Sequence, residues 1–294
     1  RIEQPLTPGH ELAGVVTGGS GEAYGLPDGT PVAIDPAQPC GQCEHCRRGY
    51  ENLCPQVRFL GSPGVDGGLT QMLAVPAASL IPVPDGFTPA TIALLEPLGV
   101  ALHALDVTRL KPLESVTVLG AGPIGLLLAQ VARVSGAGEV RVVEPVPHRR
   151  RLALRLGADS VHAHYGEVLD LTGGRGSDTV LEATNSPDGP EHACQVARIG
   201  GKVTLVGIPE GDTFTLNAGN ARRKGLTIRM SRRMGRVWER AISLARDGRV
   251  DLEPIASHHE PLERAAEALE TAARVPDGFV KAVIYPNGQR PRTL

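Results

Sequence analysis

Apolar positions in the first third of the chain come in short runs separated by turn residues, a strand-and-turn rhythm. The pattern predicts strands over Leu12–Thr17 and Thr30–Ile34, with a glycine-rich loop between them, and again over Gly68–Val75 and Ser79–Val83. A helical period follows over Pro89–Leu105. The rhythm then changes to alternating strand and helix. Strands are predicted at Ser115–Leu119, Val140–Glu144, Thr179–Glu182, Lys202–Val206 and Leu226–Met230. Helices are predicted at Pro123–Ser135, Arg149–Leu156 and Pro190–Ile199. Such alternation predicts an α/β fold with a doubly wound parallel sheet. Past Arg232 come helices at Val237–Asp247 and Leu262–Ala273 and a closing strand at Gly278–Tyr285. The closing strand is expected to rejoin the first lobe. A discontinuous domain of residues 1–98 and 232–294 would then surround an inserted one, residues 99–231.

At 294 residues two domains are the natural expectation. The formal charge of −2 gives no global attraction for nucleic acid or an anionic membrane, and neither is expected as a partner. With 3% aromatics the core must be filled by Val, Leu, Ile and Ala. The 36 glycines and 25 prolines are dispersed between apolar runs, so they read as ordered turns. The apolar stretch Val116–Ala132 is interrupted by Gly120, Gly122, Pro123 and Gly125 and makes a poor membrane span. No secretory pattern is found, and a reduced, cytoplasmic setting is expected.

Four of the five cysteines, Cys40, Cys43, Cys46 and Cys54, fall in a C-x2-C-x2-C-x7-C run flanked by Pro39, Gly41 and Gly49. Thiolates at this spacing can reach one centre and suit a closed, structural zinc site. Two disulfides are the bland alternative, disfavoured because cysteines two residues apart pair badly and nothing suggests secretion. An iron–sulfur cluster would compete for the same thiolates. The fifth cysteine, Cys194, reads as a small core residue on a helix.

Gly120-Ala121-Gly122-Pro123-Ile124-Gly125 is a G-x-G-x-x-G run between a predicted strand and a predicted helix. In that context the glycines allow a tight turn, a close backbone approach to pyrophosphate, and close helix–strand packing. The helix N-terminus offers free amides to phosphate. Glu144 ends the next strand, where a carboxylate can accept hydrogen bonds from ribose hydroxyls. Arg149, in the basic run Arg149-Arg150-Arg151, can lie beside the adenosine ribose, whereas a 2′-phosphate would be repelled by Glu144. NAD is therefore expected over NADP.

The segment P-G-H-E-L-A-G-V-V around His10 and Glu11, the four-cysteine lobe, Glu96-Pro97-Leu98 and then G-A-G-P-I-G resembles, in that order, the zinc-dependent medium-chain dehydrogenase/reductase superfamily. The similarity covers essentially the whole chain and is greatest to polyol dehydrogenases of the sorbitol or L-iditol type. It implies a GroES-like, β-rich catalytic domain with a structural-zinc lobe beside a Rossmann NAD-binding domain. It also implies that His10 and Glu96 serve a catalytic zinc, with Glu11 a ligand or close partner, and that Arg233 binds substrate hydroxyls. Imidazole and carboxylate are proper zinc donors, and three ligands leave a position open for an alcohol. The family places a catalytic cysteine and a proton-relay hydroxyl upstream of G-H-E. None of the nine residues before His10 is Cys, Ser or Tyr, so the chain reads as truncated at its N-terminus.

The expected activity is hydride transfer between a secondary alcohol of a polyol or sugar and NAD. Alternatives are the same chemistry on threonine or glucose, or a non-catalytic dinucleotide-binding protein. The predicted strand Leu226–Met230 reads as a sheet edge, so a homodimer or homotetramer is expected.

Overall fold

The computed structural model describes residues 4–19 and 21–288. The chain divides into two compact units, the first of residues 1–99, 235–248 and 252–294, the second of residues 100–234 and 249–251.

The amino-terminal part of the first unit holds β1 (Leu12–Val15), β2 (Pro31–Ile34), a two-residue pair β3 (Ala37–Gln38) and β4 (Arg58–Phe59), and β5 (Leu80–Pro82). β1, β2 and β5 form an antiparallel sheet in that order. Val16, Leu26 and Val32 are buried against it, with Leu80 packed on them. A short helix α1 (Glu44–Arg47) lies in the cysteine lobe. Residues 68–75 form no strand, contrary to their apolar pattern. Their start is committed elsewhere: the amides of Gly67, Gly68 and Leu69 donate to the carbonyls of Thr7, Gly9 and Pro8 at 2.7, 3.0 and 3.0 Å.

The helical region 89–108 is two helices, α2 (Pro89–Ala93) and α3 (Leu95–Thr108). Thr88 and Thr91 make a reciprocal capping box and Pro89 sits at the first helical position, which fixes the start. The stretch Pro89–Thr108 has the length and apolarity of a membrane span, but most of it is buried, as in a core helix.

The second unit alternates as its sequence predicts: β6 (Ser115–Leu119), α4 (Pro123–Val134), β7 (Glu139–Val143), α5 (Pro147–Arg155), β8 (Ser160–His162), α6 (Tyr165–Leu171), β9 (Ser177–Glu182), α7 (Gly189–Val196), β10 (Ala197–Leu205), α8 (Ala218–Arg223) and β11 (Thr227–Met230). β8, α6 and α8 are additions to the predicted elements. The six strands are all parallel, in the order β11-β10-β9-β6-β7-β8. This is the doubly wound sheet. Leu119, Val143, Val180, Val203 and Leu205 fill its core together with Cys194.

The chain then returns to the first unit with α9 (Trp238–Arg246), β12 (His258–Pro261), α10 (Ala265–Arg274) and β13 (Ala282–Tyr285). β12 and β13 pair in parallel. The indole of Trp238 donates to Asp35 at 3.0 Å, and Arg236 grips Glu51 through Nε and Nη2 at 3.0 and 2.6 Å.

At the amino end of the parallel sheet a charged cluster binds three strands together. Asp178 accepts from the amide and hydroxyl of Ser115 at 2.9 and 2.6 Å, from Arg198 at 2.6 Å and from Arg175 at 2.8 Å. Burial opposes ionisation of Asp178, but these donors outweigh it and hold the carboxyl far below its usual range. A depressed carboxylate stabilises the fold above the unfolded pKa of about 4, and that stability is lost as pH falls through the folded value. Asp178→Asn should therefore cost about 2 kcal/mol or more at pH 7 and progressively less below about pH 4. Urea midpoints of both proteins at pH 7 and pH 3 test this; an equal gap at the two pH values would contradict it.

Candidate active site

His10 follows a close backbone crossing. Gly9 has φ 100°, and a Cβ there would stand 3.3 Å from the Leu69 amide nitrogen. A Cβ on Gly61 would stand 3.0 Å from both the nitrogen and the carbonyl oxygen of Gly9. With the three amide bonds of residues 67–69 described above, this crossing fixes where β1 begins and where His10 points. The His10 ring also meets Phe59, with centroids 5.3 Å apart.

His10, Glu11 and Glu96 each bring a donor atom within 4.8 Å of the others. His10 is exposed, Glu11 half-buried and Glu96 buried. Burial first, and then the charges of Glu11 and Asp35, push the Glu96 carboxyl up to about 8, with Lys281 opposing them. Two carboxylates and an imidazole crowded together are a site short of positive charge. Part of it comes from Lys281, which pairs with Glu11. Sequence reading missed Lys281, which stands just before β13, some 270 residues from its partner. His10, Glu11 and Lys281 line an open cleft of about 1450 Å³ that runs along β1, residues 68–75 and β13. The donor set and its electrostatics fit a divalent cation.

In the cysteine lobe Cys43 and Cys46 have sulfurs 3.4 Å apart, and those of Cys40 and Cys46 are 4.0 Å apart. Cys54 completes the group, and all four sulfurs lie within 4.8 Å of one another as free thiols. Sulfurs about 2.3 Å from a central ion at tetrahedral corners lie about 3.8 Å apart, so the cluster has the dimensions of a zinc site. The amides of Gln42 and Cys43 pull the Cys40 thiol down to about 6, while burial pushes Cys46 up to about 12. A cation among the four sulfurs would favour the thiolate form of each.

In the second unit the glycine run forms the β6–α4 turn. Gly120 has φ 94° and Gly122 caps α4, whose first helical residue is Pro123. A Cβ on Gly122 would meet nothing within 4 Å, so the backbone is open there to an approaching phosphate. The Glu144 carboxylate is buried beside the turn. It accepts from the amide of Ala121 at 2.7 Å and that of Val146 at 2.9 Å. Glu144 thus braces the glycine turn, and each oxygen keeps a lone pair for another donor. Ile124 and Gly125 continue into α4, while Arg149 is half-buried on α5. Arg150 caps the carbonyls of Glu144 and Pro145 at 2.7 and 2.8 Å. Arg233 follows β11 with φ 56°, a left-handed conformation that costs a non-glycine residue energy.

Comparison with known proteins accords with both units. Residues 1–85 match the alcohol dehydrogenase GroES-like domain, and residues 123–247 match the zinc-binding dehydrogenase profile. Sorbitol dehydrogenase of Bacillus subtilis is 30% identical over 97% of this chain and 82% of its own length. L-Threonine 3-dehydrogenase of Pyrococcus horikoshii is 34% identical over 92% of this chain and 79% of its own. A zinc-binding dehydrogenase from Sinorhizobium meliloti, solved bound to NADP, superposes with a TM-score of 0.87 at 29% identity, covering 96% of this chain and 84% of that one. The chain belongs to the zinc-dependent alcohol dehydrogenase family. It is an oxidoreductase of that class, built from a GroES-like unit and a Rossmann unit.

Removing one sulfur from the lobe tests its role as a metal site. Cys43→Ser should lower bound zinc by about one ion per chain and disorder the lobe, because metal binding and local folding are coupled. Elemental analysis with thiol counting checks it. Zinc content equal to that of the parent would refute the assignment.

Proposed function

We propose that this protein oxidises a secondary alcohol of a polyol with NAD, giving the ketone, NADH and a proton. The observation that carries the reading is the meeting of His10, Glu11 and the buried Glu96, the first two lining an open cleft, in a chain that also holds a braced glycine turn. Similarity to sorbitol dehydrogenase supports a polyol as the substrate class.

His10 and Glu96 would hold a catalytic zinc, and Lys281 would restrain Glu11 beside them. When bound, zinc makes the alcohol oxygen more acidic and the nicotinamide accepts the hydride. The chain's own residues bind and orient. The open amides at the start of α4 would receive the pyrophosphate. Glu144 would accept from the adenosine ribose, with Arg149 alongside, while Arg233 would bind substrate hydroxyls. Cys40, Cys43, Cys46 and Cys54 would hold a second, structural zinc that leaves no position open for substrate.

Reduced-cofactor production, NADH from NAD and NADPH from NADP, should be measured with sorbitol, xylitol, L-threonine and glucose. A polyol with NAD should be the best pair. L-Threonine is the second reading, favoured by the 34% identity to a threonine dehydrogenase, and its clear lead would replace the first. Glu144→Ala should narrow the gap between NADH and NADPH binding, since it removes hydrogen bonds worth about 1.5–3 kcal/mol each with the hydroxyl and a repulsion with the phosphate. Equal binding of both cofactors by the parent would overturn the choice of NAD.

The β11 edge ends the parallel sheet, and Met230 on it is 63% exposed. Self-association along this edge is the reading we favour. Light scattering should give a dimer or tetramer at micromolar concentration; a monomer there would reject it.

A further inference from the structure

Glu182 is the last residue of β9 and is only 2% exposed. In register its strand neighbours are Leu119 on β6 and Leu205 on β10. An acid between two leucines is a poor choice for packing alone, because burying a charge carries a desolvation penalty. What it does instead is visible in its partners. Oε1 accepts from the Thr184 amide at 2.7 Å and from the Thr184 hydroxyl at 2.5 Å. The hydroxyl in turn accepts from the Ser186 amide at 3.2 Å. Burial raises the Glu182 pKa, opposed by these bonds and by the Gly207 amide.

Space for the carboxylate is made by two glycines. A Cβ on Gly189, at the start of α7, would stand 2.5 Å from Oε1. A Cβ on Gly207, just past β10, would stand 2.7 Å from Oε2. Three segments therefore converge on one side chain: the β9–α7 loop, the N-terminus of α7 and the loop after β10. The first of these also presses on the glycine turn. The Ala183 amide donates to Leu119 at 2.9 Å, and a Cβ on Gly120 would stand 2.8 Å from the Ala183 oxygen and 3.2 Å from Thr184 Cγ2.

The position in the sheet gives this arrangement its meaning. β6 leads through α4 to β7 on one side, while β9 flanks it on the other, so the carboxyl ends of β6 and β9 bound the switch-point crevice where such sheets bind ligands. We propose that Glu182 is a positioning residue for the dinucleotide, holding residues 183–186 and the loop at 206–208 as the crevice wall opposite the Glu144 side of the glycine turn. The inference rests on the cofactor reading given above, and the experiment separates the two.

NADH binding is measured by fluorescence titration of the parent chain, Glu182→Gln, Thr184→Val, Thr184→Ser and the double variant Glu182→Gln/Thr184→Val, with the thermal midpoint of each in the absence of cofactor. Gln replaces one carboxylate oxygen of Glu182 with an amide donor and removes the charge that strengthens acceptance from Thr184, and Val keeps the shape of Thr without its hydroxyl. Glu182→Gln and Thr184→Val should each bind NADH about tenfold more weakly, Thr184→Ser within twofold of the parent, and the double variant no more than twofold worse than either single one. A role in stability alone would lower the thermal midpoint, leave the affinity of the folded protein unchanged, and show no rescue by Ser. If Glu182→Gln does not fold, the Val and Ser variants at residue 184 decide the matter on their own. Affinities within twofold of the parent for Thr184→Val and any folded Glu182→Gln, or losses that multiply in the double variant, would overturn the proposal. A parent chain that binds no NADH would instead overturn the cofactor reading, and the inference with it.

Discussion

The parallel pairing of β6 with both β7 and β9 is the constraint on which the rest of the second unit depends. Because the strands run the same way, their carboxyl ends all arrive at one edge. That edge receives the glycine turn from β6, Glu144 from beyond β7 and Glu182 from β9. The amino edge is closed by the charged cluster around Asp178, with its bonds to Ser115, Arg175 and Arg198. One end of the sheet is thus spent on rigidity and the other is left with open amides and acids whose lone pairs are only partly used.

The first unit follows a different logic, in which charge is gathered before its counter-ion arrives. Four thiols lie within 4.8 Å of one another in one lobe, and two carboxylates lie equally close to an imidazole, with Asp35 adding to the charge on Glu96. Neither arrangement is favourable by itself, since like charges raise one another's pKa and burial adds to the effect. The two sites differ in how the deficit is met. In the cysteine lobe backbone amides are the main help, holding the Cys40 thiol low while burial leaves Cys46 high. The acid site has Lys281, a real cation from a distant part of the chain. Four close sulfurs and an acid site already paired with a lysine are thus two different electrostatic settings.

Where local sequence carried the determinant, the architecture could be read directly. The blocks S-V-T-V-L and S-D-T-V-L-E, and the strand core V-R-V-V, are β-branched and flanked by turn signals, and they became strands within a residue or two of expectation. The cysteine run is legible because its four members lie within fifteen residues. Strand β8 escaped notice because S-V-H is three residues long and lacks a hydrophobic face. The run at 68–75 misled for the opposite reason: it has strand-like residues, but the amides at its start, Gly68 and Leu69, were already given to residues 9 and 8. Lys281 and Glu182 were illegible as functional residues. A lysine before a strand and an acid at a strand's end look like ordinary surface positions, and only the fold shows one reaching Glu11 and the other buried between leucines.

The pairing of Lys281 with Glu11 also says something about how the chain comes to be folded. Trp238 with Asp35, Arg236 with Glu51 and Asn287 with the Gln71 carbonyl repeat the same long reach. The second unit is nearly continuous in sequence, and its contacts can form as soon as residue 234 or so has been made. The first unit cannot be completed until its last strand has left the ribosome. Synthesis thus imposes an order, with the dinucleotide-binding half able to fold while the metal-binding half waits with its thiols and acids exposed. A chain cut short by only some fifteen residues would keep most of its core and yet lose the one lysine that steadies the acid cluster.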